Sequence, residues 1–469
     1  MRDGGQTGCV IRDREIYGER YREGRRLAPE TILAEARRCR ACETPACRDA
    51  CPAQIDIPGF IGSFVAGDLE QSYAILKARN TLPEICARVC PTEIQCEGAC
   101  IEHILGGKPV PVRDIQLHVA QQARKRGIAT ARLGPASTRR MAVIGAGPAG
   151  IACAARLLQD GHAVDLYDTA EGAGGTPLSA IPAYRLAGGE ALAEIESLFA
   201  EAIDKKRLTR RYGEGVSQEQ PLAAFAKKYD AVFLGIGLSE ELHLPGALPD
   251  TPGVIGAMTF LRTAKSETIF PVPDTVCVIG GGNTAIDAAI TAKQNEARDV
   301  SILYRRSFAE MPAWPAERSR ALDAGIQFLI LTQPVGYVIE NNALAGIRAA
   351  RTILGEPDAS GRRKAVCLPD SEAVIPAQLA IEALGQAPAV NFHRLAPELR
   401  LTSTGLVAVN ETTMETSLPR VFAGGDLVNG GTTAVQAIAE GLRAADHISS
   451  LPPKRSGQWG QETHRLSVQ

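Results

Sequence analysis

Two copies of one local pattern constrain this 469-residue chain more than any other feature. In the first, an apolar run at 141–144 leads into Gly145-x-Gly147-x-x-Gly150, then a helix-period stretch to Gln159, a second apolar run at 163–167, and Asp168. In the second, the run 275–279 leads into Gly280-x-Gly282-x-x-Ala285, a helical stretch to about Ala292, and a run at 300–304 that ends in Arg305-Arg306. Strand, glycine turn, helix and strand in that order form the unit of a parallel α/β sheet. The glycines permit the tight turn and let backbone N–H groups approach a pyrophosphate at the helix N-terminus. Apolar runs at 230–237 and 376–385, and a later Val421-Phe422-Ala423-Gly424-Gly425-Asp426 followed by a helix from Ala434, place the second unit inside the first. The expected fold class is therefore α/β, with two Rossmann-like (three-layer ββα) domains, one inserted in the other.

The residue that closes each unit sets its nucleotide preference. Asp168 stands 23 residues after Gly145, where a carboxylate takes ribose hydroxyls. The matching stretch of the second unit is Leu303-Tyr304-Arg305-Arg306. An acid repels a 2′-phosphate, whereas guanidinium groups pair with it bidentately, so the second unit is expected to prefer NADPH.

The N-terminal part has a different texture. Nine of the twelve cysteines precede residue 101, and seven of them form two runs: Cys39-x2-Cys42-x4-Cys47-x3-Cys51-Pro52, and Cys90-Pro91-x4-Cys96-x3-Cys100. Between and after them lie helical segments broken by Cys-Pro and Gly-Gly. The spacing is that of a two-cluster iron-sulfur domain, in which the Cys before Pro ligates the other cluster. On that logic Cys39, Cys42, Cys47 and Cys100 hold one [4Fe-4S] cluster, and Cys51, Cys90 and Cys96 hold the second, one ligand short. Cys86 and Gln116 are the two candidates for the missing position. Structural zinc and disulfides are the rival readings. The charged stretch 1–26 has no apolar signal core, which points to a reducing, cytoplasmic setting.

Composition narrows the class further. A net charge of -2 argues against an electrostatic grip on nucleic acid, and no apolar run of about 18 residues suggests a membrane span. The motifs divide the chain into an α-helical [4Fe-4S] domain at 1–137, a flavin-type dinucleotide-binding domain at 138–252 and 374–469, and an NADPH-binding domain at 253–373.

With these motifs assembled, the chain resembles over nearly its whole length the small subunit of bacterial glutamate synthase and the N-terminal half of dihydropyrimidine dehydrogenase. The residues that carry the resemblance are CRAC, CPAQIDIPGF, TLPEICARVCP, CEGAC, VIGAGPAG, IPAYRL, VIGGGNTAIDAA, LYRRS and VFAGGD with AIAEG. It implies FAD at Gly145, Gly147, Gly150, Asp168, Gly175 and Asp426, NADPH at Gly280, Gly282, Asn283, Arg305 and Arg306, and two [4Fe-4S] clusters. In dihydropyrimidine dehydrogenase a glutamine completes the second cluster, and that place falls on Gln116. Pro182, Tyr184 and Arg185 are placed by resemblance against the flavin.

The function expected is that of an electron-input subunit: hydride from NADPH to FAD, then single electrons through the clusters to a partner, or the reverse. The partner is an FMN-containing synthase or dehydrogenase subunit, an iron-sulfur oxidoreductase, or ferredoxin. No FMN barrel or glutaminase half is legible in the chain. No side chain is required as acid or base, so no catalytic residue is assigned. A dithiol reductase would need a Cys-x-x-Cys beside the flavin, and the α/β part offers only the isolated Cys153, Cys277 and Cys367. A scaffold that has lost its cofactors is contradicted by the complete motif set.

Overall fold

Helix starts in the N-terminal part are written in proline and aspartate. Helix α1 (Pro29–Ala36) opens on proline, whose missing N–H is no loss in a first turn. Asp56 caps α2 (Ile57–Val65) by accepting from Gly59 N, and Asp68 caps α3 (Leu69–Arg79) by accepting from Gln71 N. Helices α4 (Pro83–Val89) and α5 (Val112–Lys125) complete the group, with Ile115, Gln116, Val119, Ala120 and Ala123 forming the buried stripe of α5. The connections between these helices carry most of the clustered cysteines. The computed structural model describes residues 28–128, 132–215, 221–245, 251–266, 270–357, 361–389 and 392–454. The charged stretch 1–26 lies outside them.

The chain then enters its first sheet: β1 (Arg140–Ile144), α6 (Pro148–Gln159), β2 (Ala163–Asp168), α7 (Gly188–Asp204), β3 (Leu208–Tyr212) and β4 (Ala231–Leu234). It leaves to build a second sheet from β5 (Val254–Gly256), α8 (Ala257–Ser266), β6 (Thr275–Ile279), α9 (Asn283–Gln294), β7 (Asp299–Tyr304), α10 (Pro315–Asp323) and β8 (Gln327–Ile330). An antiparallel sheet of β9 (Thr332–Glu340), β10 (Ala343–Pro357), β11 (Arg363–Cys367) and β12 (Ala373–Pro376) follows, then β13 (Leu379–Glu382). The chain returns to the first sheet with β14 (Val421–Ala423) and ends its described part on α11 (Ala434–Ser450). Both five-stranded sheets are parallel throughout, in the orders β14-β4-β1-β2-β3 and β5-β13-β6-β7-β8.

The residues group into two compact units. One holds Leu27–Ile181, Leu186–Leu242 and Leu384–Gln469, and the other holds Pro182–Arg185 with His243–Ala383. In the first, a single core runs from Ile32, Phe60 and Ile115 of the helical part to Met141, Phe199, Phe233 and Phe422 of the α/β part. The helical part is thus built onto the first sheet. The boundary expected at 373/374 is displaced: β13 belongs to the second sheet, where it pairs in parallel with both β5 and β6 and buries Ala380, Ile381 and Glu382. An isolated apolar run reads the same in either sheet, so only its pairing partners locate it. Among the described residues no helix is long and apolar enough to cross a membrane.

Candidate functional site

The two glycine loops share the roles of their first two glycines and differ at the third position, which is Gly150 in one and Ala285 in the other. Gly145 has φ +101, and a Cβ there would stand 2.3 Å from the Gly235 carbonyl oxygen. Gly150 is equally constrained, since its Cβ would meet the Gly145 oxygen at 1.8 Å. Gly147 is different. It precedes α6, and an added Cβ would have its nearest neighbours at 3.9 and 4.0 Å. The fold demands the outer glycines, whereas the middle one leaves room above the first N–H groups of α6, where an anion is stabilised.

Gly280 (φ +148) repeats the first position, its Cβ falling 2.4 Å from the Ala383 oxygen. Gly282 repeats the middle one, with nothing within 4 Å of a Cβ at the head of α9.

Around the first loop the sequence-chosen residues converge. Asp168, at the end of β2, accepts from Ala146 N at 2.6 Å and from Ala170 N at 2.8 Å, so the carboxylate is held against the glycine turn. Gly175 lies across the loop, where its Cβ would come 2.8 Å from Gly147 Cα. Gly425 packs beside Ala149 of α6 and thereby brings Asp426 to the same place. Burial raises the Asp426 carboxyl, and a hydrogen bond from the Thr432 backbone opposes that shift. The buried Glu440 of α11 accepts from Gly425 N at 2.6 Å and also takes the side-chain amides of Asn429 and Gln436. The AIAEG motif contained Glu440, but only the fold shows that it braces the Gly-Gly-Asp turn.

In the second loop, Asn283 Oδ1 accepts from Trp314 N at 3.0 Å, and Ala313 N donates to Gly281 O at 2.9 Å. The segment before α10 is therefore stitched to the glycine turn. Arg305 and Arg306, read together from sequence, separate here. Arg305 is exposed at the end of β7, and its side chain makes no hydrogen bond or ion pair among the described residues. Arg306 is 4% exposed and donates from Nε to the Arg363 carbonyl at 2.6 Å. Ile302, Leu303 and Tyr304 of β7 are all buried, Arg305 just past the strand turns outward, and Arg306 turns back in.

The thiols form two sets. Cys39, Cys42, Cys47 and Cys100 stand close enough to repel one another as thiolates. Cys51, Cys90 and Cys96 form a second mutually interacting set. This grouping requires Cys51 and Cys100 to leave their own runs. Burial, then Cys39 and the other neighbouring thiols, pushes Cys47 up to about 11, and burial raises Cys96 well above the usual thiol range. Such a set is costly as bare thiolates and is stabilised by bound iron, which offsets the charge. Among the described residues no three His, Cys, Asp or Glu converge on a single-ion site. A cubane makes no such demand, because each thiolate meets a different iron. The neighbouring Cys86, ahead of burial, raises the Cys90 thiol. Gln116, buried on α5, donates from Nε2 to the Pro83 carbonyl at 2.8 Å. Cys153 and Cys277 are buried and Cys367 is exposed.

The second set is bolted to the first sheet's helices by a residue that no motif signalled. Glu194 of α7, 3% exposed, accepts from Glu84 N at 2.7 Å and Ile85 N at 2.8 Å at the head of α4. Burial raises its carboxyl to about 7, with Lys77 opposing and Glu84 reinforcing. Glu84 in turn takes two hydrogen bonds from Arg124 of α5.

Tyr184 and Arg185, placed by resemblance against the flavin, lie in the second compact unit, where both bond Asp287 of α9.

Residues 19–128 match the family described as dihydropyrimidine dehydrogenase domain II, 4Fe-4S cluster, and residues 139–441 match the pyridine nucleotide-disulphide oxidoreductase family. The NADPH glutamate synthase small chain of Escherichia coli K12 is 34% identical over 92% of this chain and 93% of its own length. The NADP(+)-dependent formate dehydrogenase subunit beta of Moorella thermoacetica is also 34% identical, over 86% of this chain, which spans only 59% of that protein. Among solved structures, Mycobacterium tuberculosis FprA in complex with NADPH superposes with a TM-score of 0.54 at 17% identity, covering 66% of this chain and 84% of that one. That likeness concerns the fold.

Proposed function

This chain belongs to the family of the glutamate synthase small chains, oxidoreductases with a 4Fe-4S domain ahead of a pyridine nucleotide-disulphide oxidoreductase domain, and we propose that it is the electron-input subunit of a larger complex. The reading assigns FAD to the first glycine loop with Asp168, Gly175 and Asp426, NADPH to the second with Asn283 and Arg305, and one [4Fe-4S] cluster to each thiol set. When bound, these groups supply hydride acceptance from NADPH and one-electron relay.

The chain's own part is to bind, orient and insulate. Gly147 and Gly282 keep the space above two helix N-termini clear, and the N–H groups there hold the negative charge of a pyrophosphate. Asp168, fixed by Ala146 N and Ala170 N, keeps its remaining lone pairs for hydroxyl donors. Arg305 offers an unengaged guanidinium fork to a 2′-phosphate. For the second cluster Gln116 is the better fourth ligand. Gln116 is buried and its amide is held at the Pro83 carbonyl, at the start of the helix that leads to Cys90, which leaves its side-chain oxygen to face iron.

One observation supports the relay order above the others: the second thiol set is joined directly to the flavin-side helices, whereas three of the four thiols of the first set are only half-buried. Cys51 and Cys96 are buried, and α4, which leads to Cys90, is anchored by Glu194 to the flavin-side helix α7. Cys90 is half-buried; in the first set Cys100 is buried, and Cys39, Cys42 and Cys47 are half-buried. Electrons would enter through the second set and leave through the first to a partner carrying the substrate chemistry. The glutamate synthase and formate dehydrogenase relatives, named as a small chain and a beta subunit, accord with such a partner. The test is anaerobic purification of the tagged chain from its own host. The expected result is a yellow-brown protein with one FAD and about eight irons per chain, accompanied by a stoichiometric redox subunit. A chain that purifies alone and turns over a metabolite rapidly with NADPH would overturn the subunit reading.

A further inference from the structure

The second glycine loop is held by a buried polar cluster whose key members come from outside the nucleotide-binding stretch. Residues Pro182–Arg185 leave the first compact unit and join the second. There Tyr184 Oη donates to Asp287 Oδ1 at 2.7 Å, and Arg185 Nη1 pairs with Asp287 Oδ2 at 2.7 Å. Arg185 Nη2 lies 3.9 Å from Glu317 Oε1, and the side chains of Arg185, Asp287 and Glu317 are each 8% exposed. Glu317 is also paired with Arg320, whose guanidinium sits 6.0 Å above the Tyr184 ring. Burial works against the Arg185 charge, but Asp287 and then Glu317 outweigh it and raise its pKa.

A buried charged group of this kind is weak evidence for stability, because desolvation cancels much of the attraction. Its placement suggests another use. Asp287 is four residues into α9 from Asn283, on the helix whose N-terminus stands over Gly282. Glu317 is on α10, and Trp314, just before α10, bonds Asn283. Arg185 thus ties together the two helices whose neighbouring ends carry the nucleotide loop.

We propose that Tyr184 and Arg185 are positioning residues for the nicotinamide nucleotide: by clamping Asp287 and Glu317 they fix α9 against α10, and so fix the N–H groups of the Gly280–Asn283 turn that receive the pyrophosphate. The proposal rests on the reading that the second loop binds NADPH. It adds that this site is incomplete without the strap at 182–185. Because the strap acts on the pyrophosphate end, its loss weakens NADPH and NADH alike and leaves their ratio, set by Arg305, unchanged.

The experiment uses the anaerobically purified full chain with Tyr184→Phe, Asp287→Asn and Arg185→Lys. NADPH and NADH affinities and limiting flavin-reduction rates are taken from stopped-flow concentration series, with FAD content, iron content and thermal midpoint measured beside them. Tyr184→Phe removes one hydroxyl without changing charge and is the variant least prone to misfold. The expected result is a rise in Kd for both nucleotides of about fivefold or more in Tyr184→Phe and about tenfold or more in Asp287→Asn. The NADPH:NADH ratio, FAD and iron stay at wild-type values, and Arg185→Lys falls between wild type and Asp287→Asn. Wild-type affinity in all three variants overturns the proposal alone. So does a loss of affinity that tracks loss of FAD and thermal stability, which marks a merely structural role. A wild-type protein that binds neither nucleotide overturns the NADPH-site reading itself.

Discussion

Removing the Glu194 carboxylate tests how the cluster-bearing helices are joined to the flavin-side helices. Glu194 accepts two backbone N–H groups at the head of α4, at 2.7 and 2.8 Å, in a site where it is 3% exposed. Hydrogen bonds to a charged acceptor contribute about 1.5–3 kcal/mol each, so the pair is worth about 3–6 kcal/mol when fully ionised. Burial raises this carboxyl to about 7, so near neutrality it is ionised only part of the time and the lower end applies. Glu194→Ala should therefore cost about 3 kcal/mol, since it leaves Glu84 N and Ile85 N buried without an acceptor. Glu194→Gln keeps one acceptor oxygen and turns an amide against the other N–H, so it should still cost about half as much. The assay is urea unfolding of the anaerobic holoprotein, followed by far-UV circular dichroism and by the visible absorption of the clusters. Cluster bleaching should move to lower urea together with the helical signal. A Glu194→Ala midpoint equivalent to a loss under about 0.5 kcal/mol would refute the reasoning.

Arg305→Ala should reduce the NADPH over NADH preference about tenfold or more, a charge-assisted phosphate pair being worth about 1.5–3 kcal/mol. Arg306→Ala should instead lower the thermal midpoint with little change in preference, and stopped-flow flavin reduction with each nucleotide separates the two. Gln116→Ala should alter the electron paramagnetic resonance signal of one cluster, while Cys86→Ser leaves both; loss of a cluster in the Cys86 variant would reverse the ligand choice. For pH, the folded Glu194 carboxyl titrates near 7 against an ordinary 4.5, so between those values the native state holds a proton the unfolded chain has released. Stability should then fall as pH rises through that window, and Glu194→Gln should flatten the slope in denaturation midpoints measured across it.

What the sequence discloses about this chain is what local geometry demands. The Gly145 and Gly280 positions are legible because only glycine tolerates a positive φ with a carbonyl oxygen 2.3 or 2.4 Å from where a Cβ would be. The crossed cysteine sets are legible only through the Cys-before-Pro spacing of two-cluster iron-sulfur domains, since short loops alone would keep Cys51 with Cys39, Cys42 and Cys47. From sequence the strand at Leu379–Glu382 reads as part of the neighbouring domain, since its membership is decided by β5 and β6, which lie far away in sequence. Glu194 with Glu84, and Arg185 with Asp287, are pairs separated by 110 and 102 residues that no periodicity announces. Arg305 and Arg306 look alike as letters, and only the folded chain shows that the second is buried and committed to the Arg363 carbonyl.

The central claim is that electrons from a nicotinamide nucleotide pass through a flavin into two clusters on this one chain. The most direct measurement is an anaerobic titration of the purified chain with NADPH, recording flavin absorbance and quantitative electron paramagnetic resonance on the same samples. The account predicts that the flavin bleaches and that paramagnetic reduced-cluster signals then grow in from the same added nucleotide, and that Cys100→Ser removes the signal of the first thiol set alone. A flavin that reduces fully while the iron stays silent, or a protein in which zinc occupies the thiols, would contradict it.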